Sequence, residues 1–100
     1  MDGNKLILLS RVGCCLCEGL EERLNNLDLN KLNPPLNLWV RDIDGESVSE
    51  VDRARYSLEV PVLLLAIYKT SRIIELPRVS PRLSDEGLFT WLQKNIQEKF

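Results

Sequence analysis

The chain has 100 residues, of which 44% are hydrophobic and 28% charged, and its formal net charge is −2. This is the profile of one soluble globular domain over residues 1–100, and it excludes a disordered chain, a fibre and a multidomain enzyme. Its 13 basic and 15 acidic residues form no long block of one sign, so there is no electrostatic footprint for nucleic acid.

The opening Met1-Asp2-Gly3-Asn4-Lys5 is too weakly basic, and the apolar stretch behind it too short, for a secretory leader; an intracellular, cytoplasmic protein is expected. Lys5 to Ser10 has the length and apolar character of a first strand. Leu16, Leu20, Leu24 and Leu27 then recur at helical spacing, which predicts a helix from about Cys15 to Leu29. The Asn-rich stretch containing Pro34-Pro35 stops it. Leu38 to Ile43 is the second strand, closed by the turn signal Asp44-Gly45. Strand, helix and strand in this order make a right-handed parallel unit.

Val48, Val51, Ala54 or Arg55, and Leu58 mark a short second helix, with Glu50, Arg53 and Arg55 on a solvated face. Val60-Pro61 leads into Val62 to Tyr68, a third strand apolar on both faces. The apolar run Val60 to Tyr68 is about half of the roughly 20 residues a membrane-spanning helix needs, so no span is expected. After a polar turn, Ile73 to Leu76 returns as an antiparallel edge strand ended by Pro77. Ser84 caps a last helix carrying Leu88, Leu92 and Ile96, with Asp85 and Glu86 at its positive end. Trp39 and Trp91 read as packing residues. The predicted class is α/β: a four-stranded mixed sheet flanked by three helices, in the order βαβ-α-ββα.

All three cysteines fall within four positions, Cys14-Cys15-Leu16-Cys17. A framework of disulfides would tie distant segments together, so this cluster points to local thiol chemistry. Two cysteines three apart inside a helix have Cβ atoms roughly 5 to 6 Å apart, too far for a disulfide, so Cys14 must sit just before the helix and turn toward Cys17. There the orphan N–H groups and the positive end of the helix dipole favour its thiolate. Arg11 adds positive charge, and Glu18, Glu21 and Glu22 oppose it. Cys14 is thus the candidate nucleophile and Cys17 the resolving thiol. Cys15 reads as a small buried side chain, or else as an auxiliary thiol or metal ligand. Three cysteines and no histidine cannot close a structural zinc site alone, so no bound metal is expected. The alternative is a non-enzymatic module holding copper, zinc or an iron–sulfur cluster, and a third reading is an interaction scaffold with unreactive thiols.

Taken together, Leu8 to Cys17, Val40 to Asp44, Glu59-Val60-Pro61-Val62-Leu63 and a terminal helix with Trp91-Leu92 make the chain similar to glutaredoxin-like proteins of the thioredoxin-fold superfamily. The resemblance implies a thioredoxin-like fold and a thiol-disulfide oxidoreductase acting on protein disulfides or glutathione mixed disulfides. It implies Cys14 as nucleophile, Cys17 as resolving thiol, and Arg11, Val60 and a cis Pro61 as substrate contacts. Its expected partners are protein disulfides and either glutathione, as co-substrate, or a thioredoxin-type reductase; a monomer is expected. The chain departs from that pattern at Cys15-Leu16, where Pro-Tyr is usual, at Gly13, and at Val79 to Asp85, where a Gly-Gly and an aspartate are usual.

Overall fold

In the computed structural model, which describes residues 3–99, strand β1 (Asn4–Ser10) lies at the centre of a four-stranded sheet of order β2-β1-β3-β4. β2 (Leu36–Asp42) runs parallel to β1, with Asn4 opposite Leu36 and Ser10 opposite Asp42. β3 (Val62–Ile67) pairs antiparallel on the other side, Leu9 facing Val62, and β4 (Arg72–Glu75) closes the edge antiparallel to β3. The expected order and strand directions are those observed.

Alternation along the central strands divides the core in two. Leu6 and Leu8 of β1 and Leu63, Leu65 and Ile67 of β3 face α1 (Cys15–Asn26) and α3 (Asp85–Lys99), meeting Leu20, Leu24, Leu88, Leu92 and Ile96. Leu9, Val62 and Leu64 face the other way, against Ile43, Val48 and Tyr56 around the short α2 (Glu50–Tyr56). Both faces of β3 are therefore covered, the reason its sequence is a continuous apolar run.

Helix ends differ from the expectation where local capping outcompetes periodicity. α1 stops at Asn26 because Asp28 caps a separate 3-10 turn (Leu29–Lys31), its Oδ1 accepting the Asn30 N–H at 3.1 Å. β2 begins earlier than expected, and Ile43 continues its ladder by one bond, donating to the Ser10 carbonyl at 2.7 Å. The apolar stripe read for α2 is corrected: Val51 and Leu58 are 76% and 94% exposed, and the apolar anchors of the seven-residue helix are Tyr56 and the preceding Val48. Arg53 is not on a solvated face. Its guanidinium donates to the carbonyls of Ile43, Gly45 and Val48 and so seals the turn after β2. Trp39 is 39% exposed on edge strand β2, with the Lys5 ammonium 4.3 Å and the Arg41 guanidinium 4.6 Å from its ring centre.

Ser84 caps α3 as expected, its Oγ accepting the Gly87 N–H at 3.0 Å and its carbonyl the Leu88 N–H at 2.8 Å. Ser84→Ala is expected to lower unfolding stability by about 1 kcal/mol, as for other side-chain N-caps, while Ser84→Asp retains it. Urea denaturation of the three proteins checks this; an unchanged midpoint in Ser84→Ala would mean the cap contributes nothing. Among the described residues, no helix is long and apolar enough to cross a membrane.

Candidate functional site

The cysteine site is built by the connection between β1 and α1. Arg11 to Cys14 form a β-turn closed by the Cys14 N–H on the Arg11 carbonyl at 3.1 Å. Gly13, third in that turn, has φ +83°, a conformation in which any side chain is strained. This explains a glycine at that position. The turn delivers Cys14 in extended conformation to the N-cap of α1, where its Sγ takes the place of the usual capping oxygen and accepts the Cys17 N–H at 3.2 Å. After reduction this N–H would face the same sulfur as a thiol or thiolate.

Cys14 and Cys17 form a disulfide, their Cα atoms 5.2 Å apart. This separation falls inside the roughly 4.4 to 6.8 Å span that such bridges use. The two sulfurs are not equivalent to solvent. Cys14 is half-buried at the turn, whereas Cys17 is 0% exposed, on the same helix face as Leu20 and Leu24. Cys17, not Leu16, therefore begins the buried stripe of α1, and Leu16 is 56% exposed. Cys15 is corrected as well: it is an exposed free thiol rather than a small buried side chain. Two residues before Cys17, it lies about 200° around the helix from the buried face. Among the described residues no group of three His, Cys, Asp or Glu side chains is placed to hold a metal.

Arg11 does not extend freely toward solvent. Its Nε and Nη2 donate to both carboxylate oxygens of Asp44, at 2.8 and 3.1 Å, and Nη1 and Nη2 donate to the carbonyl and hydroxyl of Ser57, at 2.9 and 2.8 Å. One side chain thus ties the cysteine turn to the turn after β2 and to the end of α2. Asp44 is itself placed by Asp42, whose Oδ1 accepts the Asp44 N–H at 3.0 Å. The hydrogen bond from Arg11 holds the Asp44 carboxyl below its ordinary range, and Asp44 in turn raises Arg11. A carboxyl held low in this way leaves the clasp closed at neutral pH and lost only as acid protonates Asp44. The partnership of Arg11 with Asp44 and Ser57 escaped sequence reasoning: they lie 33 and 46 residues from Arg11, and in the sequence Asp44 reads only as part of a turn and of the family resemblance.

The Val60-Pro61 peptide is cis. Because Val62 pairs with Leu9, Pro61 lies beside the end of β1 from which the cysteine turn departs. Val60 makes no backbone hydrogen bond to another described residue, so its N–H and C=O are available to an extended chain. A groove of about 50 Å³ runs between Leu16 and Leu20 of α1 and Pro61, Val79 and Pro81. Val12, 84% exposed, stands in the cysteine turn, and Leu58, 94% exposed, follows the clasped Ser57. The structure thus brings Cys14, Cys17 and the Arg11 backbone together, puts Val60 and Pro61 at the flank, and turns Cys15 away.

A family profile described as "Glutaredoxin-like domain (DUF836)" matches residues 5–93. No curated protein matches the sequence significantly. Among solved structures, one titled "Structure of a malarial protein" is similar at 17% identity with a TM-score of 0.61, the match covering 95% of this chain and 99% of that one. The first thioredoxin domain of mouse protein disulfide-isomerase A4, solved in solution, is similar at 12% identity with a TM-score of 0.58, over 99% of this chain and 65% of that one. At such identities the two likenesses speak for the fold, which is thioredoxin-like, and the profile covers nearly all of the chain. Together with a cysteine pair bonded across the first turn of α1, this makes the chain a member of the glutaredoxin-like domain family.

Proposed function

We propose that the protein is a dithiol oxidoreductase that reduces protein disulfides or glutathione mixed disulfides, with electrons returned by glutathione or a thioredoxin-type reductase. The observation carrying this reading is the unequal burial of a bonded pair: a reachable Cys14 at the helix start and a Cys17 that solvent does not touch.

Starting from the dithiol, the Cys14 thiolate attacks one sulfur of the substrate disulfide and expels the other as a thiolate, leaving a mixed disulfide at Cys14. Cys17 then gives up its proton and attacks the Cys14 sulfur, releasing the second substrate thiol and forming the Cys14–Cys17 disulfide. Two electrons pass from the pair to the substrate; the Cys17 proton goes to one substrate sulfur and the other substrate thiolate takes its proton from solvent. Burial of Cys17 supports this order, because an external disulfide has access to Cys14 and not to a side chain that is 0% exposed. Val60 supports the reading by offering a strand-like N–H and C=O to an extended substrate.

Cys17→Ser separates the two steps. The variant is expected to attack a disulfide but not to resolve it, so that the mixed disulfide accumulates and intact-mass spectrometry finds the adduct on Cys14. Reduction of protein disulfides by this variant at the wild-type rate would remove Cys17 from the mechanism.

A further inference from the structure

Arg11 is the cation nearest in sequence to the nucleophile. The ends of a β-turn lie within about 7 Å of one another, so Arg11 and Cys14 are close enough for a free guanidinium to meet a substrate bound at Cys14. A free arginine fork there would recruit carboxylates. This fork is already filled: it makes four hydrogen bonds to Asp44 and Ser57, leaving one of the five guanidinium N–H groups uncommitted.

Of the two arginines bordering the groove beside Pro61, Arg23 is engaged by hydrogen bonds, and Arg78 is paired only loosely. Arg23 donates to the Leu83 carbonyl at 2.7 Å and to the Gly19 carbonyl at 3.4 Å. Arg78 stands 3.9 Å from the Glu59 carboxylate. Near Cys14 the exposed side chains include the aliphatic Val12, Leu16 and Leu58 and the anionic Glu18, with the Cys15 thiol beside them.

We propose that Asp44 is a specificity-determining residue: with Ser57 it withholds the Arg11 guanidinium from incoming carboxylates. The site then selects disulfides that are uncharged or cationic beside the reacting sulfur, and protein disulfides over glutathione. This rests on the dithiol reading given above and narrows its substrate class. Asp44 acts through Arg11 and touches no reacting atom. The alternative role, a purely structural tie, predicts that losing Asp44 slows all substrates alike.

The test uses the fully reduced protein and three small symmetric disulfides: glutathione disulfide, whose halves are anionic, neutral hydroxyethyl disulfide, and cationic cystamine. For each, the second-order rate of Cys14–Cys17 disulfide formation is divided by the rate of the same disulfide with dithiothreitol, which cancels its intrinsic reactivity. In the wild type the corrected rate is expected to be lowest for glutathione disulfide. Asp44→Asn is expected to raise that rate about tenfold while leaving hydroxyethyl disulfide within about twofold, since a freed fork regains a charge-assisted bond to carboxylate. Adding Arg11→Gln to Asp44→Asn is expected to cancel the gain. A wild-type preference for glutathione disulfide would overturn the proposal whether or not the variants fold. Equal slowing of all three disulfides by Asp44→Asn would overturn it too, leaving Asp44 a structural tie. Failure of the wild type to react with any of the three would instead strike down the dithiol reading beneath it.

Discussion

Replacing Cys14 by serine is expected to lower disulfide reduction by about 10³-fold or more, because the reaction loses its nucleophile and not merely an orienting group. Two thiols survive in that variant and neither can substitute. Cys17 is fully buried and meets no external disulfide, and Cys15 is exposed but points away from Cys17, so a mixed disulfide formed on it has no resolving partner. The comparison with Cys15→Ser is therefore informative: that variant should retain the wild-type rate within about twofold, as for a surface substitution outside the machinery. Turnover of a protein disulfide, followed with each variant under one reducing system, checks both. Equal loss in Cys14→Ser and Cys15→Ser would mean that the cysteines act as a group, as in a metal-holding module.

The largest effect on stability is expected at Leu65. It lies on β3 between Leu6 of β1 and Ile74 of β4, is 0% exposed, and belongs to the core packed beneath α1 and α3. Leu65→Ala should cost about 2 to 5 kcal/mol, the transfer free energy of the lost methyl groups plus that of the cavity they leave. Against a total of about 5 to 15 kcal/mol for a typical domain, that is a large share, and the variant should approach unfolding near body temperature. Leu58→Ala, at a residue 94% exposed, should shift stability by no more than about 0.5 kcal/mol. The urea midpoint at constant slope separates the two. If both leucines proved equally costly, the assignment of core and rim would be wrong.

These two leucines also show what was legible in the sequence. Leu65 stands in a continuous apolar run, and only a strand covered on both faces needs one, so its burial could be read directly. Leu58 falls at helical spacing after Val48 and Val51 and so helps to mark the second helix, yet that helix ends at Tyr56, too short to carry the spacing to Leu58. The cysteine site was legible for a local reason: a capping cysteine, its partner three residues on and the turn that aims them lie within seven positions. Pro61 could likewise be placed at the start of β3 through a backbone constraint that acts on neighbouring residues alone. The Arg11 clasp could not be read, because it joins three turns distant in sequence and its partners, an aspartate and a serine, are ordinary turn residues. Arg53 escaped for a similar reason. A charged residue at an apparently solvated helix position gives no sign that three carbonyls of a neighbouring turn will collect its donors.

The most direct test of the whole account is the pH dependence of alkylation of the reduced protein, with the modified cysteine identified by mass spectrometry at each pH. A thiol capping α1 should be present as thiolate well below the pH of about 8.5 at which an ordinary cysteine is half ionised. The account predicts that Cys14 reacts with a midpoint below that value while Cys17 stays protected until the protein unfolds. A Cys14 midpoint at or above about 8.5, or Cys17 reacting ahead of Cys14, would contradict it.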